Sequence, residues 1–232
     1  MMDDDNPVQW AIVESHDAKT VIVVFMGTRS PTEILTGPLN KPEYAKDIDL
    51  HVNHYLWNAL HSKKNGVAEQ IIRELAAFAG RNLVICGHSL GGGFATLFAL
   101  ELLQRGKAIC AVISHGGPQV VVPNPENSLW KALNDIAIVY VNEFDIVPRL
   151  PSCRQWVFFY IPKVAHMSEE KMQHLHENWK AMSKYRHLGR LLFISHGHAE
   201  AMCIRQTISA NTAQPAALDI TLDEMLVVES AN

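Results

Sequence analysis

Cys86-Gly87-His88-Ser89-Leu90-Gly91-Gly92-Gly93 stands between an apolar run, residues 83–85, and a helical pattern over residues 94–102. That order predicts a strand, a sharp turn and a helix. A serine on such a turn is held in a strained backbone conformation at a helix N-terminus, and Gly87 and Gly91 give the neighbouring chain room to close up. Ser89 is therefore the candidate catalytic nucleophile, the alternative being an incidental glycine-rich turn. Gly91, Gly92, Gly93 and Ala95 let the helix pack close to a sheet, and Leu97, Leu100 and Leu102 continue it.

Working outward, residues 8–14 and 20–26 are β-rich runs joined by a turn-like stretch and read as an antiparallel pair. Residues 31–49 hold Pro31, Gly37, Pro38 and Pro42 among Ile34 and Leu35, which predicts a long loop or short helical flap. Helical spacing covers 51–61 and 67–79, with Gly80 placed to end the second helix. Further strands are expected at 108–114, 136–141, 154–161 and 191–195, separated by helices. Right-handed crossovers then build an α/β architecture with a mostly parallel central sheet flanked by helices. Met172, Leu175, Trp179 and Met182 recur at helical spacing and read as core packing, or as a partner-binding face. Residues 221–230 are apolar and read as a terminal helix or strand that meets the sheet.

Composition bounds the function. The 232 residues suit one domain, with 48% hydrophobic and 19% charged residues. A net charge of -4 without a dense Lys/Arg block argues against a nucleic-acid partner. The acidic opening Met1-Met2-Asp3-Asp4-Asp5 has neither the cationic nor the apolar region of a signal peptide, and no membrane span is visible. Cys86, Cys110, Cys153 and Cys203 are widely spaced, as free thiols in a reducing compartment would be. The cytoplasm is the expected location.

A serine hydroxyl needs a base within hydrogen-bond reach and a carboxylate to orient that base. On this fold the order along the chain is Ser, Asp, His. Asp145 follows a predicted strand and lies in Asp145-Ile146-Val147-Pro148-Arg149-Leu150-Pro151, whose prolines stiffen the loop; a turn aspartate is the plainer reading, and Glu143 the nearest substitute. A developing oxyanion needs two donors: the backbone N–H of Leu90 and a group from an earlier strand end, where Gly27-Thr28 offers the Thr28 N–H and hydroxyl. No metal or cofactor is required.

Val24-Phe25-Met26-Gly27-Thr28, Gly87-His88-Ser89-Leu90-Gly91-Gly92, Gly116-Gly117-Pro118 and the Asp145 loop together resemble the class 3 lipases, the fungal-lipase-like and plant diacylglycerol-lipase-like α/β-hydrolases, over roughly residues 8–195. The resemblance implies ester substrates among acylglycerols or phospholipids and transient contact with a membrane or lipid-droplet surface. It assigns the oxyanion role to Thr28, the lid to residues 31–47, the nucleophile to Ser89 and the acid to Asp145. Met26 stands where the family usually has Arg. Tyr185-Arg186-His187-Leu188-Gly189 resembles the His-x-Gly strand that precedes the family's catalytic histidine by several tens of residues. Residues 221–230 resemble the segment just before that histidine, so the base is expected beyond Asn232, with His198 or His196 the alternatives by chain order. A lipase-like module that binds without hydrolysing is the rival reading.

Overall fold

The computed structural model describes residues 8–15, 19–28, 37–62, 66–155, 157–158, 161–164, 166–194 and 202–205. Its first two strands, β1 (Trp10–Glu14) and β2 (Thr20–Phe25), form the expected antiparallel pair. After them come β3 (Pro42–Ala45), β4 (Leu50–Asn53), helix α1 (His54–His61) and helix α2 (Val67–Leu75). The middle of the chain runs β5 (Asn82–His88), α3 (Leu90–Gln104), β6 (Ala111–His115), α4 (Ser128–Ile136) and β7 (Ala137–Asn142). Helices α5 (Ile161–Val164) and α6 (Glu169–Met182) precede β8 (Arg190–Ile194) and β9 (Met202–Arg205).

Seven strands make one sheet in the order β1-β2-β5-β6-β7-β8-β9. The inner pairings from β2 to β8 are parallel, and β1 and β9 add antiparallel edges. Alternation sets which face is buried: Val21, Val23 and Phe25 of β2 are buried while Thr20, Ile22 and Val24 are only partly so. Against the buried face lies α3, whose Phe94 and Phe98 rings sit 6.3 and 5.5 Å from Phe25. Each such fully buried apolar side chain contributes about 1.5–3 kcal/mol, so this seam fixes α3 to the sheet.

A second apolar cluster joins Leu39, Leu150, Val157, Ile161, Leu175, Met182 and Tyr185, with Met172 and Trp179 packed on it. The Met172-to-Met182 stripe is thus core packing. Residues 154–161, expected as a strand, are helical where described: the Val157 N–H donates to the Cys153 carbonyl at 3.2 Å, and α5 follows. A short apolar run does not distinguish strand from buried helix. Here the sheet position beside β7 is taken by β8, and Val157 and Ile161, four apart, share a buried helical face instead.

The predicted flap is regular in its described part. Gly37–Leu39 is a buried 3-10 turn, and β3 pairs antiparallel with β4. Asn53 holds this region from within: its Nδ2 donates to the carbonyls of Gly37 and Pro38 at 3.3 and 3.2 Å, while its Oδ1 caps α1 by accepting from the Leu56 N–H at 3.1 Å. Residues 31–36 of the expected lid lie outside the described residues.

Candidate active site

Ser89 is the single residue between β5 and α3, with φ 54° and ψ -129°. A non-glycine residue held there costs on the order of 1–3 kcal/mol, which the surroundings must offset. They do so by enclosing the turn. The Ser89 N–H donates to the His115 carbonyl at the end of β6, at 2.8 Å, and the Gly92 N–H closes back on the Ser89 carbonyl at 2.8 Å. A methyl group on Gly91 would stand 2.3 Å from the Phe25 carbonyl oxygen, so only glycine lets the first turn of α3 seat against the end of β2. The Ser89 side chain makes no capping bond to the helix it precedes.

The other predicted residues gather around this turn. Leu90 opens α3, so its backbone N–H is among the first-turn donors that have no partner within the helix. Its side chain is buried, with Cδ1 3.3 Å from where a Gly37 methyl would stand, which presses the base of the flap onto the elbow. The Met26-Gly27-Thr28 turn at the end of β2 lies alongside: a methyl on Gly27 would be 3.3 Å from Ser89 Cβ and 2.9 Å from the His88 carbonyl oxygen. Thr28 is half-buried beside it.

Asp145 follows β7 and is half-buried. Its Oδ1 accepts from the Val147 N–H at 3.0 Å, an Asx turn. Its Oδ2 lies over Gly116, one residue beyond the His115 carbonyl that holds Ser89; a side chain at Gly116 would come within 2.3 Å of that oxygen, and Gly116 has φ 60°. Burial pushes the Asp145 carboxyl above the ordinary aspartate range, while the Val147 N–H and the charges of His88 and Arg149 pull the other way. Arg149, to which the sequence reading gave no role of its own, fastens the loop: its Nε donates to the Asp145 carbonyl at 3.1 Å and one terminal nitrogen to the Glu143 carbonyl at 2.8 Å.

The histidines separate by environment. His187 is buried, its Nε2 donating to the Pro148 carbonyl at 2.6 Å, and desolvation lowers its pKa to about 4. It braces the Asp145 loop from below. His88 and His115 are exposed neighbours on β5 and β6, His115 stacking on Tyr140 with ring centroids 5.0 Å apart. His61 lies 3.5 Å from the buried carboxylate of Glu101, which sits on α3 twelve residues beyond Ser89. His196 and His198 lie outside the described residues. The brace from His187 and the clamp from Asn53 had no sequence signal beyond their residue types, because each depends on a partner far along the chain.

Among the described residues no helix is long and apolar enough to cross a membrane. The chain matches the family described as lipase (class 3) over residues 22–155. It is 27% identical over 146 residues to a lipase of Rhizopus niveus, an alignment taking in 60% of this chain and 37% of that protein. With the chloroplastic phospholipase A1 PLIP1 of Arabidopsis thaliana it shares 25% identity over 158 residues, 64% of this chain and 24% of the relative. The chain therefore spans well under half the length of either relative. The solved structure of the triacylglyceride lipase of Rhizomucor miehei superposes with a TM-score of 0.58 at 20% identity, covering 84% of this chain and 65% of that one. A triacylglycerol lipase whose catalytic centre is formed by a serine protease triad gives 0.59 at 21% identity, with 84% and 65% covered. These likenesses establish the α/β-hydrolase fold, and with the match across residues 22–155, from β2 through the elbow to the Asp145 loop, they show that the chain belongs to the class 3 lipase family.

Proposed function

We propose that the chain hydrolyses carboxylic ester bonds of lipids, acylglycerols or phospholipids, through an acyl-enzyme on Ser89. The observation that carries this reading is the strained Ser89 elbow, set against the Gly27-Thr28 turn on one side and the Asp145-bearing strand end on the other. In the first step Ser89 Oγ attacks the ester carbonyl as its proton passes to an imidazole oriented by Asp145. The resulting oxyanion is held by the Leu90 N–H and by Thr28. Collapse expels the alcohol, which takes the imidazole proton, and water then releases the acid by the same path in reverse order.

The imidazole is required to reach both Ser89 Oγ and Asp145. His187 is excluded, since its Nε2–H is committed to Pro148 and its ring is buried. β8 runs parallel to β7 and brings Ile194 opposite Asn142, three residues before Asp145, so the chain leaves β8 at the Asp145 end of the sheet. His196 and His198 follow next in sequence, and a histidine beyond Asn232 is the family-like alternative. Phe144, beside Asp145 and 69% exposed, is an apolar contact for a lipid substrate at this rim. The test is turnover of p-nitrophenyl butyrate, dispersed diacylglycerol and phosphatidylcholine by the parent and by Ser89→Ala. Hydrolysis lost in the variant supports the reading; saturable ester binding with no turnover in the parent is what a non-hydrolytic lipase-like module would give.

A further inference from the structure

The ring of His61, the last residue of α1, meets three groups that favour its charged form. Its Nδ1 lies 2.8 Å from the Trp57 carbonyl oxygen one turn back, its Nε2 lies 3.5 Å from Glu101 Oε2 on α3, and the Trp57 indole stands over it with ring centroids 4.0 Å apart. A neutral imidazole has a single N–H to give. With an acceptor at each nitrogen, a neutral ring that keeps its bond to Trp57 turns a bare lone pair towards a carboxylate, at a nitrogen that is itself buried. The imidazolium has a proton for both sides. It gains further from the indole face and from its place at the negative end of the helix dipole. Glu101 is held ready on the other side: its carboxylate is buried, Oε1 accepts from Arg105 Nε at 2.6 Å, and Arg105 also pairs with Glu69 of α2. The described charged groups around the ring are thus Glu101 and Arg105 from the α3 side and, behind Arg105, Glu69 from α2.

We propose that His61 and Glu101 form a proton-operated clamp, which fastens the end of α1 to α3 while the imidazole is charged and releases it when the proton leaves. The release is local, because Leu56 and Leu60 of α1 stay fully buried and only the last turn is free to open. α1 also touches the flap and the elbow. Asn53, which caps its start, holds the Gly37 and Pro38 carbonyls, and Leu56 Cδ1 lies 3.0 Å from where a methyl on Gly93 would stand, four residues beyond Ser89. Burial works against the charge on His61, and Arg105 adds to that, but the Glu101 carboxylate and the Trp57 carbonyl outweigh them, so the pKa is raised above 6.5. That of Glu101 is lowered, chiefly by His61 and then by Arg105, against burial. The clamp is therefore fully closed at and below pH 6.5, down to the range where Glu101 itself takes a proton, and its contribution is lost as the pH rises through the raised value of His61.

Two measurements on the full chain test this. Proton–nitrogen correlation spectra of the histidine rings, with His61 assigned by its absence from His61→Gln, follow its titration. A midpoint above 6.5 is expected in the parent, and in Glu101→Gln it should fall by about one pH unit or more as the facing charge is removed. A parent midpoint at or below 6.5, or one that Glu101→Gln leaves in place, overturns the pairing. Hydrogen exchange of the unmutated chain tests the release without relying on any variant that has to fold with Arg105 unpaired. Once the intrinsic dependence of exchange on pH is divided out, amides 58–62 should exchange roughly threefold faster or more above the His61 midpoint than below it. His61→Gln should show no such step. A parent chain without the step, or a step that persists in His61→Gln, overturns the clamp.

Discussion

His187 Nε2 donates to the Pro148 carbonyl oxygen at 2.6 Å, which ties the segment leading into β8 to the loop that carries Asp145. Burial disfavours the charged ring by more than the bond to Pro148 favours it, so the fold holds the ring neutral and its pKa falls from 6.5 to about 4. Above pH 6.5 the ring is neutral in folded and unfolded chains alike, and the contribution is fully present. As the pH falls from 6.5 towards 4 the unfolded chain takes up a proton that the folded chain refuses, and stability is lost, by about 3 kcal/mol at the limit. Asp145 acts in the opposite sense, since its raised pKa lets the folded chain gain a proton first. Urea unfolding at pH 7.5 and pH 5 isolates the histidine: His187→Gln should lose less stability over that interval than the parent. An equal loss would remove His187 as the source.

Gly116→Ala brings a methyl group to within 2.3 Å of Asp145 Oδ2 and places alanine at φ 60°. Gly106→Ala makes a fair control, with φ 70° and open space around it. The control should cost about 1–2 kcal/mol from the left-handed backbone alone. Gly116→Ala should cost more and should also depress ester turnover, because the carboxylate has to move. Equal effects on stability and turnover in the two variants would separate Asp145 from this close approach.

Asn53→Ala deletes a helix cap worth about 1 kcal/mol and leaves the Pro38 carbonyl short of a donor, at about 1–3 kcal/mol, while the Gly37 carbonyl keeps its bond from Asn40 Nδ2 at 2.8 Å. Asn53→Asp keeps the cap but loses the donor and adds a buried charge, so it should be no better tolerated. Chemical denaturation of both variants checks this. An Asn53→Asp chain as stable as the parent would mean that the flap is held by other contacts.

Much of this arrangement is legible in the sequence because it is local. The Gly87-to-Gly91 turn, the alternation in β2 and the helical spacing in α6 each carry their period within a dozen residues. The hairpin β3–β4 was hidden by its prolines and by its brevity: Pro42 begins β3, an edge position where its missing N–H costs no ladder bond. The strand expected at 154–161 failed for the reason given by Val157 and Ile161, whose four-residue spacing reads equally well as an apolar run. Asn53, Arg149 and His187 act through backbone carbonyls, and no side-chain pattern records which carbonyl a fold will bring near.

Thr28→Val removes a hydroxyl from the turn that lies against Ser89. If that hydroxyl helps hold the oxyanion, turnover should fall roughly a hundredfold to a thousandfold, about 2.7–4 kcal/mol of transition-state stabilisation, with the melting temperature little changed. Steady-state kinetics on a soluble ester measure it. A change of less than about threefold would leave the role to backbone N–H groups.

Reaction of the full-length chain with a fluorophosphonate, read by intact mass and peptide mapping, tests most directly whether Ser89 is an activated nucleophile. The account predicts a single adduct on the peptide that contains Ser89, formed within minutes and absent from Ser89→Ala. A parent chain that stays unlabelled, or a label that persists in Ser89→Ala, would contradict it.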